Sequence, residues 1–301
     1  MRLVMYDAGD GGRPGIQVGE CVADSRAVAG FAGWSGSMLA ATSTNRNLLS
    51  LKPEARLELE LAAAGYVGQN VSAPGIHALD SVRLGPPVPD PEKIICIGLN
   101  YHDHAEEIGI EVPKEPIFFA KYANSLIGPA DTIVPPRDTQ KVDYEAELAV
   151  VIGGPGRYIR EEDALAHVAG AMNFNDVSAR DLQLSNQLWT GGKAVDTFGP
   201  CGPALVTLDE LGDIQDLRVR TRVNGETLQD GTTARMVFTV AQLIAFLSRI
   251  MTLVPGDIIA TGTPAGVAAS HDPPRFLRAG DRVEVEVQGL GSTCNPVADP
   301  D

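Results

Sequence analysis

The stretch Val142-Asp143-Tyr144-Glu145-Ala146-Glu147-Leu148-Ala149-Val150-Val151-Ile152-Gly153 decides how this chain is read. Its apolar run from Leu148 to Ile152, rich in β-branched residues, reads as a strand entering a core. Glu145 and Glu147 stand at the entrance. Side chains two apart on a strand share a face, roughly 6–7 Å from one another. Two carboxylates there repel each other and lose hydration as they approach the interior, and buried charge needs a partner or a metal. A hard divalent cation with oxygen ligands resolves the conflict. The pair alone also fits a half-buried strand whose glutamates face solvent.

Outward from this stretch, most signals are strand-like. Short apolar runs occur at 93–99 and 257–261. Arg218–Val223 alternates strictly and then meets Asn224-Gly225, a strong hairpin signal. Asp281–Val287 alternates too. Helical spacing predicts helices over 161–171 and 236–250 and a further one around 53–64. Leu84-Gly85-Pro86-Pro87-Val88-Pro89-Asp90-Pro91 holds four prolines in eight residues and reads as a linker. The expected organisation is a small N-terminal domain (1–83), a Pro-rich linker (84–92) and a larger domain (93–301) that carries the chemistry. Many strands with few helices predict a β-rich α+β fold, not a doubly wound sheet.

With 301 residues, the chain has room for a large domain plus a small one. A net charge of −15 argues against nucleic acid or an anionic membrane as partner. It also requires a local cation to draw in any anionic substrate. There is no apolar stretch of about 18 residues, so no membrane span is expected. Cys21, Cys96, Cys201 and Cys294 are widely spaced, which points to reduced thiols in a cytoplasm.

Other residues carry candidate chemistry. Asp176 ends an apolar run and offers a third carboxylate for Mg²⁺ or Mn²⁺, or caps a turn. His104 and Glu107 share one face of a short helix, where the carboxylate orients the ring for base chemistry, unless both are simply exposed. Lys193 follows Gly191-Gly192, which would let the backbone approach a ligand, though a surface lysine fits as well. Thr261-Gly262-Thr263-Pro264-Ala265-Gly266 ends a strand in a tight turn.

Six segments in order decide among these readings: GLNYHDHAEE (98–107), FFAKYANSLIGP (118–129), DYEAELAVVIG (143–153), NDVSARDLQ (175–183), GGKAVDTFGPCGP (191–203) and PGDIIATGTPAGV (255–267). Together they closely resemble the fumarylacetoacetate hydrolase family over residues 93–290. The resemblance implies that family's mixed β-sandwich roll with a small, variable N-terminal domain. It implies Glu145, Glu147 and Asp176 as ligands of Mg²⁺, or of Mn²⁺ or Ca²⁺, and His104 with Glu107 as a water-activating dyad. Lys193 would stabilise an enolate, and Gln183 and Thr263 would touch substrate, with Tyr101 and Ser125 as looser matches. A homodimer is also implied. Gly192 departs from relatives that carry a larger basic residue there, which bears on recognition of the substrate's far end.

The leading expectation is metal-dependent hydrolysis of a C–C bond in a β-diketo acid, such as an acylpyruvate or a fumarylacetoacetate-like compound. A small anionic keto acid would be the partner. The alternatives on the same site are decarboxylation of a β-keto acid such as oxaloacetate and isomerisation of an unsaturated 2-hydroxy diacid. A non-catalytic binder would not need the dyad.

Overall fold

In the computed structural model, which describes residues 1–69 and 71–300, the chain forms a β-rich α+β fold. The elements used below are strands β1 (Arg2–Asp7), β2 (Ile94–Gly98), β3 (Ile117–Lys121), β4 (Ala146–Ile152), β5 (Val168–Asn175), β6 (Gly199–Val206), β7 (Arg218–Val223), β8 (Glu226–Thr232), β9 (Ile258–Ala260), β10 (Arg282–Val287) and β11 (Ser292–Pro296). The helices are α1 (Pro53–Gln69), α2 (His102–Ile108), α3 (Arg180–Gln183), α4 (Thr190–Lys193) and α5 (Val240–Ile250).

Among the described residues the strands build a 12-stranded sheet, whose central order is β1-β6-β5-β4-β9-β2-β3, and a 4-stranded sheet, β8-β7-β10-β11. Strands β9 and β2 pair in parallel, while β4 pairs antiparallel with both β5 and β9. The N-terminal strands extend the large sheet through β1, which pairs with β6. Arg83–Gly85 pairs with Met5–Asp7 along the same edge of β1, beyond the short pairing with β6. Secondary structure therefore breaks from Pro86 to Lys93, but the sheet itself runs from the N-terminal region into the rest of the chain.

Strand β4 explains its own sequence. All seven of its residues are buried. Leu148, Val150 and Ile152 face a core shared with Leu243, Ile244 and Leu247 of α5 and with Val285 and Val287 of β10. Ala149 and Val151 face the opposite way, toward Leu59 and Ala63 of α1. A strand covered on both faces has no polar face, so its pattern is continuous and not alternating. Each large apolar side chain so buried contributes about 1.5–3 kcal/mol.

Two helix expectations shift. Residues 161–171 form a 3₁₀ segment, Glu161–His167, and then strand β5. Val168, Ala171, Ala169 and Met172 divide between the two cores, so tertiary packing overrides the local helical spacing. Helix α5 begins at Val240, after Thr239 and Gln242 close a reciprocal capping box. The helix around 53–64 is present and runs on to Gln69. The hairpin stands as read. Asn224 and Gly225 have φ of 51° and 85°, the paired left-handed turn that matches strand twist.

Asn173 fastens the two sheets together. Its amide nitrogen donates to the carbonyls of Gly202 (2.9 Å) and Gly291 (3.1 Å), and its Oδ1 accepts from Val287 N–H (2.6 Å), all in the interior. We expect Asn173→Ala to lower unfolding free energy by about 2–3 kcal/mol, because buried partners lose their bonds. Urea denaturation followed by circular dichroism measures it.

Candidate metal centre and active site

Glu145 lies in a break between the two-residue strand Val142–Asp143 and β4. Its N–H donates to Asn175 Oδ1 (3.0 Å), and its carbonyl accepts from Asp176 N–H (3.0 Å). These bonds set Glu145 opposite the end of β5, where Asp176 follows. Glu147, in register with Phe174, supplies the third carboxylate. Glu145, Glu147 and Asp176 are 6%, 1% and 1% exposed, and a carboxylate oxygen of each lies within 4.8 Å of those of the others. The solvent-face reading of the pair does not hold.

Two buried lysines and a partly buried arginine clasp the carboxylates. Lys193 Nζ donates to Glu145 Oε2 (2.6 Å) and Asp176 Oδ2 (2.7 Å). Lys121 Nζ donates to Asp176 Oδ1 (2.6 Å) and the Val177 carbonyl (3.0 Å). Arg180 bridges Glu145 Oε1 (2.6 Å) and Asp143 Oδ2 (2.8 Å). Glu147 has no cation of its own. Its Oε2 accepts the Gly262 amide at 3.0 Å.

The pKa pattern follows from this inequality. Burial opposes ionisation of Glu145, but Lys193 and Arg180 outweigh it and hold its carboxyl below the ordinary range. Burial, joined by repulsion from Asp176 and Glu145, pushes Glu147 well above it. Burial also opposes the Lys193 charge, yet Asp176 and Glu145 hold its pKa above the usual value. With every group ionised, the four carboxylates at 143, 145, 147 and 176 exceed the three cations by one charge. The triad fits a hard divalent cation: three convergent buried oxygen donors, one of them without a counter-charge.

The dyad stands on α2. His104 Nδ1 lies 3.2 Å from Glu107 Oε2, and Glu107 Oε1 accepts from the Gly266 amide at 2.9 Å. Gly266 has a φ of 101°, and a Cβ there would sit 2.2 Å from the Leu228 carbonyl oxygen, so only glycine fits this anchor. Burial raises the Glu107 carboxyl, but His104 and the Gly266 amide together bring it below its ordinary value.

His104, Glu107, Glu145, Glu147, Gln183, Lys193 and Thr263 line one cavity of about 440 Å³, together with Arg180. Asp176 lies behind Lys193 and is almost fully enclosed. Gln183 accepts from Arg180 Nη1 (3.0 Å), and Thr263 Oγ1 donates to the Ala146 carbonyl (2.9 Å). Tyr101 and Ser125 do not line the cavity. Tyr101 is buried in the core, and Ser125 donates to the Tyr122 carbonyl at 2.7 Å. A Cβ at Gly192 would lie 2.4 Å from Gln183 N, so glycine lets α4 pack on α3 and aim Lys193.

Sequence reasoning missed Lys121, Arg180 and Asp143. Lys121 had one available signal, a lysine closing the apolar run Ile117-Phe118-Phe119-Ala120 of a strand. Arg180 and Asp143 flank the metal residues but look like ordinary surface charges.

A family model described as the C-terminal domain of fumarylacetoacetate hydrolase matches residues 93–298. The chain belongs to that enzyme family. It is 50% identical over 213 residues to the mitochondrial oxaloacetate tautomerase FAHD2A of Bos taurus, covering 70% of this chain and 68% of the relative. It is 51% identical over 224 residues to its Xenopus laevis counterpart, covering 74% and 70%. Among solved structures, a putative HpcE protein from Mycobacterium smegmatis superposes with a TM-score of 0.83 at 35% identity, over 100% of both chains. Maleylpyruvate hydrolase from Sphingobium sp. SYK-6, in complex with manganese(II) and pyruvate, gives 0.77 at 31%, again over 100% of both. The curated relatives are mitochondrial by name, so a plain cytoplasmic location no longer follows. No described helix is long and apolar enough to cross a membrane.

Glu147→Gln tests the metal centre. The neutral amide removes an unpaired charge, so the metal-free variant should melt no lower than wild type. Mn²⁺ at about 100 times its dissociation constant should stabilise wild type by about 2.7 kcal/mol and the variant far less. Thermal denaturation with and without Mn²⁺ measures both.

Proposed function

We propose that this protein catalyses keto–enol interconversion of a 2-oxo acid of the oxaloacetate type, assisted by a divalent cation held by Glu145, Glu147 and Asp176. This is the isomerase and β-keto acid side of the sequence expectations, preferred over C–C hydrolysis. The observation that carries it is the 50% identity to relatives named oxaloacetate tautomerase. The cavity supports it, since tautomerisation needs a proton carrier and a cationic enolate site but no attacking water.

A bound Mg²⁺ or Mn²⁺ would supply Lewis-acid polarisation of the 2-oxo oxygen. His104 exchanges the proton at carbon 3. Its Nδ1 is committed to Glu107, and Nε2 has no partner among the described residues. Glu107 fixes the ring's orientation through that contact. Lys193 faces the cavity and holds the negative charge that develops on the enolate oxygen. Gln183 and Thr263 line the same cavity and would orient the carboxylate of the substrate.

Hydrolysis remains the second reading, favoured by the structural likeness to maleylpyruvate hydrolase, with a TM-score of 0.79 at 32% identity. The enol form of oxaloacetate, mixed with protein and Mg²⁺, should lose its ultraviolet band faster than in buffer and release no pyruvate. Pyruvate release would favour decarboxylation, and cleavage of acetylpyruvate in the absence of tautomerisation would overturn the proposal. His104→Ala should lower kcat by about 10²–10⁴ with Mn²⁺ affinity near wild type. The proposal includes a homodimer, for which light scattering should give twice 31.8 kDa.

A further inference from the structure

The cavity lining sets a charged cluster beside apolar side chains. The cluster holds the carboxylates with Lys193 and Arg180, the only lysine and arginine lining the cavity among the described residues. Both cations are already paired there. The remaining lining is largely apolar: Phe119, whose ring centroid lies 5.0 Å from Lys193 Nζ, then Trp189 and Leu99, with Ile108, Ile110 and Leu184 at the mouth. Ile110 and Leu184 are 52% and 74% exposed, apolar surface that a bound ligand would cover. Phe119 and Trp189 meet edge to face at 5.5 Å between centroids, with rings inclined at 67°. Such a corner takes the flat face or edge of another apolar group.

Leu99 adds an independent observation. Its φ is 56°, a left-handed conformation that is costly for leucine. The conformation is held from behind. Asn100 donates to the carbonyls of Thr261 (2.8 Å) and Phe238 (3.1 Å) and accepts from Phe238 N–H (2.9 Å). Glycine would relieve the strain, yet leucine stands here and lines the cavity.

Size points the same way. At about 440 Å³ the cavity lies within the range of sites that bury ligands larger than a four-carbon diacid. A substrate whose far end is a carboxylate would meet no free cation there.

From these observations we infer that the site takes 2-oxo acids whose carbon 3 bears an aromatic or bulky aliphatic group, with arylpyruvates as the best-fitting class. The inference rests on the tautomerase reading and names its substrate. In the enol-to-keto direction the enol O–H breaks and carbon 3 gains a hydrogen. The C2=C3 double bond becomes single and C2=O forms, with no other reactant consumed.

The test compares the enols of phenylpyruvate and oxaloacetate with the Mn²⁺-loaded full chain, following loss of each enol band. Phenylpyruvate should give a kcat/KM at least equal to that of oxaloacetate. Leu99→Gly should lower the phenylpyruvate-to-oxaloacetate ratio about tenfold, the scale on which apolar pockets discriminate, without lowering the melting temperature. Leu184→Lys, at an exposed position, should move the ratio toward oxaloacetate by adding a distal cation. Turnover of oxaloacetate without phenylpyruvate would overturn the substrate class and leave the tautomerase reading standing. An unchanged ratio in both variants would overturn the role of this apolar lining, and turnover of neither enol would overturn both readings.

Discussion

Everything in this molecule turns on an unequal charge cluster kept out of water. Four carboxylates meet three cations in a region almost free of solvent, and the deficit falls on Glu147. Isolated ions at that depth cost several kcal/mol each. Pairing lowers the cost for Glu145 and Asp176, and the amide of Gly262 only softens it for Glu147. A dication held there would turn the local charge from minus one to plus one. In a chain of net charge −15, such a reversal would favour an anion at this point.

The scaffold exists to hold this cluster. Its members come from the entrance of β4, the end of β5, the end of β3, and the short helices α3 and α4. These segments lie up to 72 residues apart in the chain, from Lys121 to Lys193, so only the sheet brings them together. Among the described residues, the N-terminal region contributes no side chain to the cavity. It covers the second face of β4 and so lets that strand be buried throughout.

Much of this was legible in the sequence, and the rest was hidden for identifiable reasons. The two glutamates before an apolar run announced a conflict that buried charge creates, and the later aspartate completed it. The turn Asn224-Gly225 is a local device that showed in sequence, whereas helix α5 was begun four residues early because its capping pair Thr239 and Gln242 was not read. Residues 161–171 were misread because their strand is imposed by two cores that touch it from opposite sides. Lys121 and Arg180 were missed because a cation's importance lies in what it faces. Tyr101 and Ser125 sit in motifs that lead to the site, but their side chains turn into the packed interior.

The metal residues and the dyad belong to different mechanical parts. The carboxylates ride on strands or strand ends locked into a continuous ladder. His104 and Glu107 ride on a seven-residue helix fastened to the next loop through the Gly266 amide. Substitutions on that helix and its loop can therefore alter the dyad while the carboxylate cluster stays fixed. Such a division gives one architecture room for hydrolases, isomerases and tautomerases, because chemistry can drift along one wall without disturbing the floor.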